Sequence, residues 1–182
     1  MNEVEQQVYE HCRLAHHINL SQLQNKYKLN VIDKCLRGAS DVATANNLTV
    51  SNWTGSILQW CQRWSERALD QYWEAQRVLT SEREGKPPTH RQVTFYRLPN
   101  GKRPWIVEHQ YPFKIIKEHV QAGASVDFIY DWIWEYGRAT ILLKEEDPEL
   151  LYCKTEEEAH GRYDHVNIVH HPHFIEQEEA GQ

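Results

Sequence analysis

The sequence predicts an α+β fold that is predominantly helical, with an N-terminal helical layer followed by a small unit of β-hairpin and helices. Apolar residues recur at three- and four-residue steps through most of the first 84 residues, which is the spacing of amphipathic helices. After Gly85-Lys86-Pro87-Pro88 the spacing becomes two, the period of a half-buried strand. We therefore expect one domain over residues 1–182, with a helical part (1–84), an α+β part (85–173) and a flexible acidic tail (174–182).

The first 52 residues predict two helices and a connection. Apolar positions from Val4 to Ile18 share one face of a helix that ends near Asn19. Ser21 can cap a second helix, whose apolar positions run from Leu23 to Leu36 before a glycine interrupts them. The stretch Gly38–Asn52 is rich in Ser, Asn and Thr, which predicts a loop or a short helix between turns.

The strongest periodic signal predicts one long third helix. Apolar residues hold a single face from Ile57 to Leu79, with Ser51 as the cap and Gly85 to Pro88 as the stop. Tryptophans in and beside it add an aromatic surface, which is more often a core or an interface than a platform for nucleobases.

The second half predicts strands and helices in alternation. Val93–Arg97 and Trp105–Val107 flank the turn signature Pro99-Asn100-Gly101 and predict a β-hairpin, with Pro104 favouring an edge strand. Two helices then follow, one over Phe113–Val120 and one capped by Ser125 and ending at Gly137. The last predicted elements are a buried strand over Ala139–Leu143 and an acidic helix start over Lys144–Leu151.

Composition and charge narrow the class of protein. The four cysteines are irregularly spaced, which predicts reduced and buried thiols and no zinc knuckle. The opening Met1–Glu5 is acidic and lacks the basic and apolar segments of a secretory signal, and no apolar run approaches the roughly 18 residues of a membrane span. We expect a cytoplasmic protein that does not enter membranes, and the sequence leaves its oligomeric state open.

The net charge of −6 conceals a segregation of charge along the chain. Residues 83–117 hold eight Lys and Arg against two Glu, whereas residues 144–182 hold three Lys and Arg against eleven carboxylates. Both segments can be ordinary solvated surface, or the basic one can be a patch that binds a polyanion.

One segment has the residue types of a catalytic site. Glu108 and His109 come at the end of a predicted strand, just before a turn at Pro112. A carboxylate can hold a hard divalent cation while an imidazole takes a proton from water. A surface pair at a strand end is the alternative interpretation.

This strand-end acidic-His-x-x-Pro segment resembles the opening of HNH, or ββα-metal, nucleases, in which the first strand ends in Asp-His or Glu-His. The resemblance implies that Ala139–Leu143 is the second strand and that Asp147, in the helix after it, is a metal ligand beside Glu108. The chain departs from that family in having two predicted helices between the strands and no recognisable central Asn.

The resemblance implies phosphodiester hydrolysis, in a defence, toxin or mobile-element setting, with Mg²⁺ or Mn²⁺ as the divalent cation and Zn²⁺ or Ni²⁺ as alternatives. His109 would activate water, while Arg138 or Lys144 would support the phosphate. Nucleic acid, with DNA expected rather than RNA, would contact a basic surface and residues folded back over the site: Arg91, Arg97, Lys102, Arg103, Arg162 and His165.

Two further interpretations stay open. The His-rich segment from His160 to His173 matches no finger or zinc-protease spacing, so it is either an ordinary polar terminus or an adventitious zinc or nickel site. The chain can also be a non-enzymatic adaptor, or a mimic of nucleic acid, that binds a protein partner through its acidic tail and aromatic helices. No phosphate loop, dinucleotide fingerprint or nucleophile elbow is present.

Overall fold

The computed structural model describes residues 1–46, 57–147, 150, 153 and 155–174 as a predominantly helical α+β protein. The helices are α1 (Glu3–Leu20), α2 (Asn25–Ala45), α3 (Glu66–Glu82), α4 (His90–Thr94), α5 (Phe113–Gln121), α6 (Val126–Glu135) and α7 (Glu156–His160). The strands are β1 (Arg63–Ser65), β2 (Trp105–His109), β3 (Ala139–Leu143) and β4 (Ile168–His170). Short 3₁₀ turns cover Ile57–Gln59 and Gly161–Tyr163.

Helices α1, α2, α5 and α6 form one apolar cluster. Its buried side chains include Val8 of α1, Leu36 of α2, Ile116 of α5 and Ile133 of α6. The predicted first helix is confirmed, and Asn2 starts it by accepting a hydrogen bond from the Glu5 amide at 2.9 Å. The predicted helices that became α5 and α6 are confirmed as well.

Helix α2 is longer than the sequence predicted, because it continues through Gly38 to Ala45. A Cβ atom on Gly38 would lie 2.8 Å from Cε1 of His11, so the glycine lets α1 and α2 approach closely. The glycine is therefore a packing residue inside the helix, and the predicted break at this position is wrong. Residues 47–56, which include the predicted cap Ser51, lie outside the described part of the chain.

The four strands form one sheet in the order β2-β3-β1-β4. β3 runs antiparallel to β2 and parallel to β1, and β4 runs antiparallel to β1. Helix α3 packs with one face of this sheet in a second apolar cluster that contains Trp64, Trp105 and Ile141. Ser65 ends β1 and caps α3 by accepting from the Ala68 amide at 3.0 Å.

Two predicted elements, the long third helix and the β-hairpin, are wrong in their N-terminal halves. The long third helix begins only at Glu66, because Arg63–Ser65 pairs with β3 and β4 as a strand. The predicted hairpin does not form, because His90–Thr94 is the short helix α4 and β2 pairs with β3 instead. The turn at Asn100 is present, with the Gly101 amide donating to the Leu98 carbonyl at 2.8 Å.

The buried strand predicted over Ala139–Leu143 is confirmed as β3. After it, Lys144–Glu146 forms a turn, and the remainder of the predicted acidic helix falls largely outside the described residues. Glu146 is buried and closes this turn by accepting from the Ser65 hydroxyl at 2.6 Å and from the Leu143 amide at 2.7 Å. Glu146, which belongs to the acidic segment, therefore stabilises this turn.

The four cysteines form no disulfide with one another, and all four are buried. Burial raises the pKa of Cys12 and of Cys61 to about 12, so both thiols stay protonated at neutral pH. Among the helices of the described ranges, none combines the length and hydropathy of a membrane span.

Candidate functional site

A pocket of about 400 Å³ opens where β2 ends and α5 begins. Helix α2 forms one wall of it, and the 3₁₀ turn at Gly161–Tyr163 contributes another side chain. The lining residues are Arg37, Glu108, His109, Pro112, Phe113, Lys114, Cys153 and Arg162. The sequence-predicted pair at the strand end therefore lies in a cavity.

His109 is held by a hydrogen-bonded chain that fixes its tautomer. Its Nε2 atom lies 3.0 Å from Oγ of Ser40, and the same hydroxyl donates to the Gly137 carbonyl at 2.5 Å. The single hydroxyl proton is used on the carbonyl, so Nε2 must be the donor to Ser40. Nδ1 of the neutral ring then carries the lone pair, and within the described residues this atom has no hydrogen-bond partner.

The surroundings keep the His109 imidazole neutral. Burial, together with the positive charges of Arg37 and Arg162, lowers its pKa to about 4. The ring also contacts Phe113 edge to face, with the ring centroids 4.8 Å apart. At neutral pH His109 is therefore an acceptor of protons or hydrogen bonds at Nδ1.

Glu108 is paired with Arg162. An Nη2 to Oε1 distance of 2.6 Å joins the two side chains, which are 12% exposed for Arg162 and 25% exposed for Glu108. Nη1 of Arg162 also donates to the His109 carbonyl at 2.6 Å. The arginine thus ties the last two residues of β2 to the 3₁₀ turn and neutralises the carboxylate predicted to hold a metal.

Two more cations line the pocket. The Arg37 guanidinium carbon lies 4.9 Å from the centre of the Phe113 ring, and its Nε donates to Asp33 at 2.9 Å. The ammonium of Lys114 is exposed and lies 3.5 Å from Glu118. Three cationic side chains and one carboxylate therefore form the charged lining, which favours an anionic ligand.

The structure does not bring Asp147 or Lys144 to Glu108. β2 and β3 pair with His109 opposite Ala139 and Trp105 opposite Leu143, so the residues after Leu143 lie at the far end of β2. Four residue steps along a strand span about 13 Å. The Lys144 amide accordingly donates to the Pro104 carbonyl at 2.8 Å.

The donor set implied by the nuclease resemblance therefore does not fit a metal centre. One of the two expected carboxylates is bonded to Arg162, and the other is at the opposite end of the strand. Within the described ranges, no group of three or more His, Cys, Asp or Glu side chains is arranged to hold a metal ion.

Most residues of the predicted nucleic-acid surface lie at that far end as well. They surround α4 and the turn before β2: Arg91, Arg97, Lys102 and Arg103. The first three are exposed, whereas the Arg103 guanidinium carbon lies 4.7 Å from the centre of the Phe95 ring. Of the other two, Arg162 is in the pocket, and His165 is exposed in the turn before β4.

Arg138 lies beside Gly137 at the His109 end of the sheet, but it does not line the pocket. Burial lowers the pKa of its guanidinium, and the positive charge of Arg63 lowers it further. It therefore belongs to a different group of charges from the one around His109.

Sequence reasoning missed three residues of this site. Lys114 follows Pro112 at the start of a helix, and its place next to the strand end was a signal that could have found it. Arg37 and Ser40 come from α2, and Ser40 is 69 positions before His109, so no local pattern connects them with it.

Scans of this chain against protein-family models, curated proteins and solved structures found no match in any of the three. The fold and the site define a helical α+β protein with a cationic pocket at a sheet end.

Proposed function

We propose that this protein is a nucleic-acid phosphodiesterase that acts on single-stranded RNA at the His109 pocket. One observation carries the proposal: a neutral histidine with a free Nδ1 lone pair lines a cavity whose charged walls are three cations and one neutralised carboxylate. A phosphodiester needs such cations because negative charge builds on its oxygens in the transition state.

RNA supplies its own nucleophile, the ribose 2′-hydroxyl, next to the scissile phosphate. Nδ1 of His109 would accept the proton of this hydroxyl as its oxygen attacks phosphorus, which forms a cyclic phosphate and releases the 5′-oxygen. Arg37 and Arg162 would stabilise the phosphoryl charge, and the Lys114 ammonium is the candidate proton donor to the leaving oxygen. This route needs neither Asp147 nor a metal bound by Glu108.

The low pKa of His109 makes it a weak base in the free protein. A bound phosphate group would offset the charges of Arg37 and Arg162, which are part of the cause of that low pKa, and so raise the basicity of Nδ1. Substrate binding and proton acceptance are therefore expected to reinforce each other.

Cleavage of labelled single-stranded RNA, single-stranded DNA and duplex DNA, with chelator or with Mg²⁺ or Mn²⁺, tests the proposal. We expect RNA to be cut in chelator by the wild type and by His17→Asn, a control that removes an exposed histidine of α1. His109→Asn should cut at least about a hundredfold more slowly. Cleavage that requires a metal, or that His109→Asn slows by less than about tenfold, would contradict the proposed mechanism.

Binding is tested separately from cleavage, by fluorescence anisotropy of a labelled RNA against salt. Three phosphate contacts predict a slope of about −2 in log affinity against log salt, and Arg37→Gln should reduce it by roughly 0.7. A slope near zero would show that the pocket does not bind the phosphate backbone.

A specific observation also favours the alternative of a protein-binding adaptor. Apolar side chains around the α1–α2 connection are exposed, and they are Leu14, Leu20, Leu23, Tyr27 and Leu29. A partner with an apolar groove would cover them, and Leu23→Ser with Tyr27→Ser should then abolish binding that His109→Asn leaves intact. The adaptor hypothesis first rested on the acidic tail 174–182, of which residues 175–182 lie outside the described part of the chain, while Phe174 is buried.

A further inference from the structure

A second group of polar side chains crosses the other face of the sheet, away from α3. Trp64 and Ile141 are partners in the register, so their neighbours Arg63 and Thr140 lie side by side on the opposite face. Glu108 is opposite Thr140, and His170 is opposite Arg63. The four side chains therefore form one row across β2, β3, β1 and β4.

Arg138 extends this row, since it precedes Thr140 by two positions and shares its face. Arg63 and Arg138 are both partly buried, and their positive charges act on each other. In the part of the chain that the structure describes, neither guanidinium has an ion pair, and Glu108 is already bonded to Arg162. Within the described residues, these two neighbouring and partly desolvated cations are therefore not neutralised by an ion pair.

Hydrogen-bonding groups around these arginines are buried and unused. Among the residues that the structure describes, Oγ1 of Thr140 and the hydroxyl of Tyr163 have no hydrogen-bond partner, although Thr140 is 0% and Tyr163 is 6% exposed. Nε of Arg138 and Nε of Arg162 are also buried and have no hydrogen-bond partner within the described residues. Tyr163 directly follows Arg162, whose guanidinium is bonded to Glu108 of the row, and the charges of Arg63, Arg162 and Glu108 act on the Tyr163 hydroxyl.

Such an arrangement is unfavourable in itself, because a buried hydroxyl or N–H without a partner loses its hydrogen bonds to water and two unpaired cations repel each other. A single tetrahedral oxyanion would satisfy both, because its oxygens accept from guanidinium forks and hydroxyls together while its charge neutralises the arginines.

We infer that Arg63, Arg138, Thr140 and Tyr163 form a binding site for a phosphate group on this face of the sheet. The ligand is inorganic phosphate or the terminal phosphate of a phosphomonoester, which share the chemistry that the site recognises. The inference does not depend on the proposed RNA cleavage, because none of these four residues lines the His109 pocket.

Thermal unfolding of the whole chain with phosphate, at ionic strength held constant by NaCl, tests the site. Phosphate at about a hundredfold excess over its Kd should raise Tm by roughly 5–10 °C. Arg138→Gln should weaken phosphate binding tenfold or more in isothermal titration calorimetry, and Tyr163→Phe should weaken it several-fold. Arg77→Gln removes the same charge from an exposed, 75% accessible side chain and should leave binding unchanged.

Two further variants distinguish phosphate binding at this site from a loss of folding and from the proposed RNA cleavage. Arg138→Met should raise Tm without phosphate, since it removes an unpaired charge, while it abolishes the phosphate effect. Arg37→Gln, which removes a cation of the His109 pocket, should leave the phosphate effect intact, whatever it does to RNA. Adenosine 5′-monophosphate in place of phosphate distinguishes a monoester ligand from the free anion. A phosphate effect that is absent, or equal in Arg138→Gln and Arg77→Gln, would overturn the inference.

Discussion

The two ends of strand β2 carry positive charge in different ways. At the Trp105 end, the side chains of Arg91, Arg97 and Lys102 are exposed to water. At the His109 end, Arg162 is 12% exposed and bonded to both the side chain and the backbone of the strand, and a desolvated histidine lies beside it. Cations in water contribute little to stability, whereas constrained and partly buried ones change the chemistry of their neighbours.

The largest expected difference between the two ends is in RNA cleavage. His109→Asn should lower kcat/KM by a factor of about 10² to 10⁴, the range for loss of a general base. Lys102→Ala, at the exposed end, should change it by less than about threefold. Both would be measured with the same labelled RNA in chelator. If Lys102→Ala had the larger effect, the functional site would be at the other end of the strand.

The next effect is on stability. Arg162→Met leaves Glu108 partly buried without its partner and should lower the free energy of unfolding by about 2–3 kcal/mol. Arg97→Met removes an exposed charge and should change it by at most about 0.5 kcal/mol. Urea titrations measure both values. Adding Glu108→Gln to Arg162→Met should restore part of the loss, and a lack of coupling would show that the ion pair does not hold this end together.

The third effect depends on pH. The folded pKa of His109, about 4, is below its ordinary value of 6.5, so the unfolded chain binds more protons between these values. Stability from this group is fully present above pH 6.5 and is lost as pH falls toward 4, by about 2.5 kcal/mol at pH 4.5. His90 and His171 have lowered pKa values as well, near 4 and 3, and act in the same direction.

Urea titrations of wild type and His109→Asn from pH 7.5 to pH 4.5 measure the contribution of His109 to the pH dependence of the free energy of unfolding. The variant should lose less stability over this interval, while His165→Asn, which removes an exposed histidine, should follow the wild type. Identical slopes for wild type and His109→Asn would show that His109 is not desolvated.

The smallest effect tests the tautomer of His109. Ser40→Ala removes the acceptor of Nε2–H and leaves the Gly137 carbonyl without its donor, which should cost about 1–2 kcal/mol. Nuclear magnetic resonance of the imidazole nitrogens should show a proton on Nε2 in the wild type and a mixture of tautomers in the variant. A proton on Nδ1 in the wild type would remove the proposed base.

Local patterns predicted the parts of the fold that depend on local physics. Helices α1, α5 and α6 follow from apolar spacing, caps and terminal glycines, and β3 follows from a short apolar run. Residues 57–65 were predicted as helix because Cys61 and Trp64 also fit a helical spacing. Their strand depends on pairing with residues near 141 and 169, which no local window contains.

The residues of the candidate site were likewise predictable only where they are neighbours in the sequence. Glu108 and His109 were found because they follow one another at a strand end, whereas Arg37 and Ser40 arrive from a distant helix through tertiary packing. Asp147 was expected beside Glu108, and the structure places it elsewhere for a related reason. That expectation assumed a ββα arrangement, and the antiparallel register of β2 and β3 sends the chain after β3 back toward the start of β2.

The position of β1 inside the sheet has a consequence for biosynthesis. Its two neighbours are β3 and β4, which follow it by roughly 75 and 105 residues along the chain. Until residue 170 has left the ribosome, β1 lacks one partner and offers an unpaired edge next to Trp64. Such non-local pairing slows folding, so the nascent chain is expected to need protection from aggregation until β4 has been synthesised.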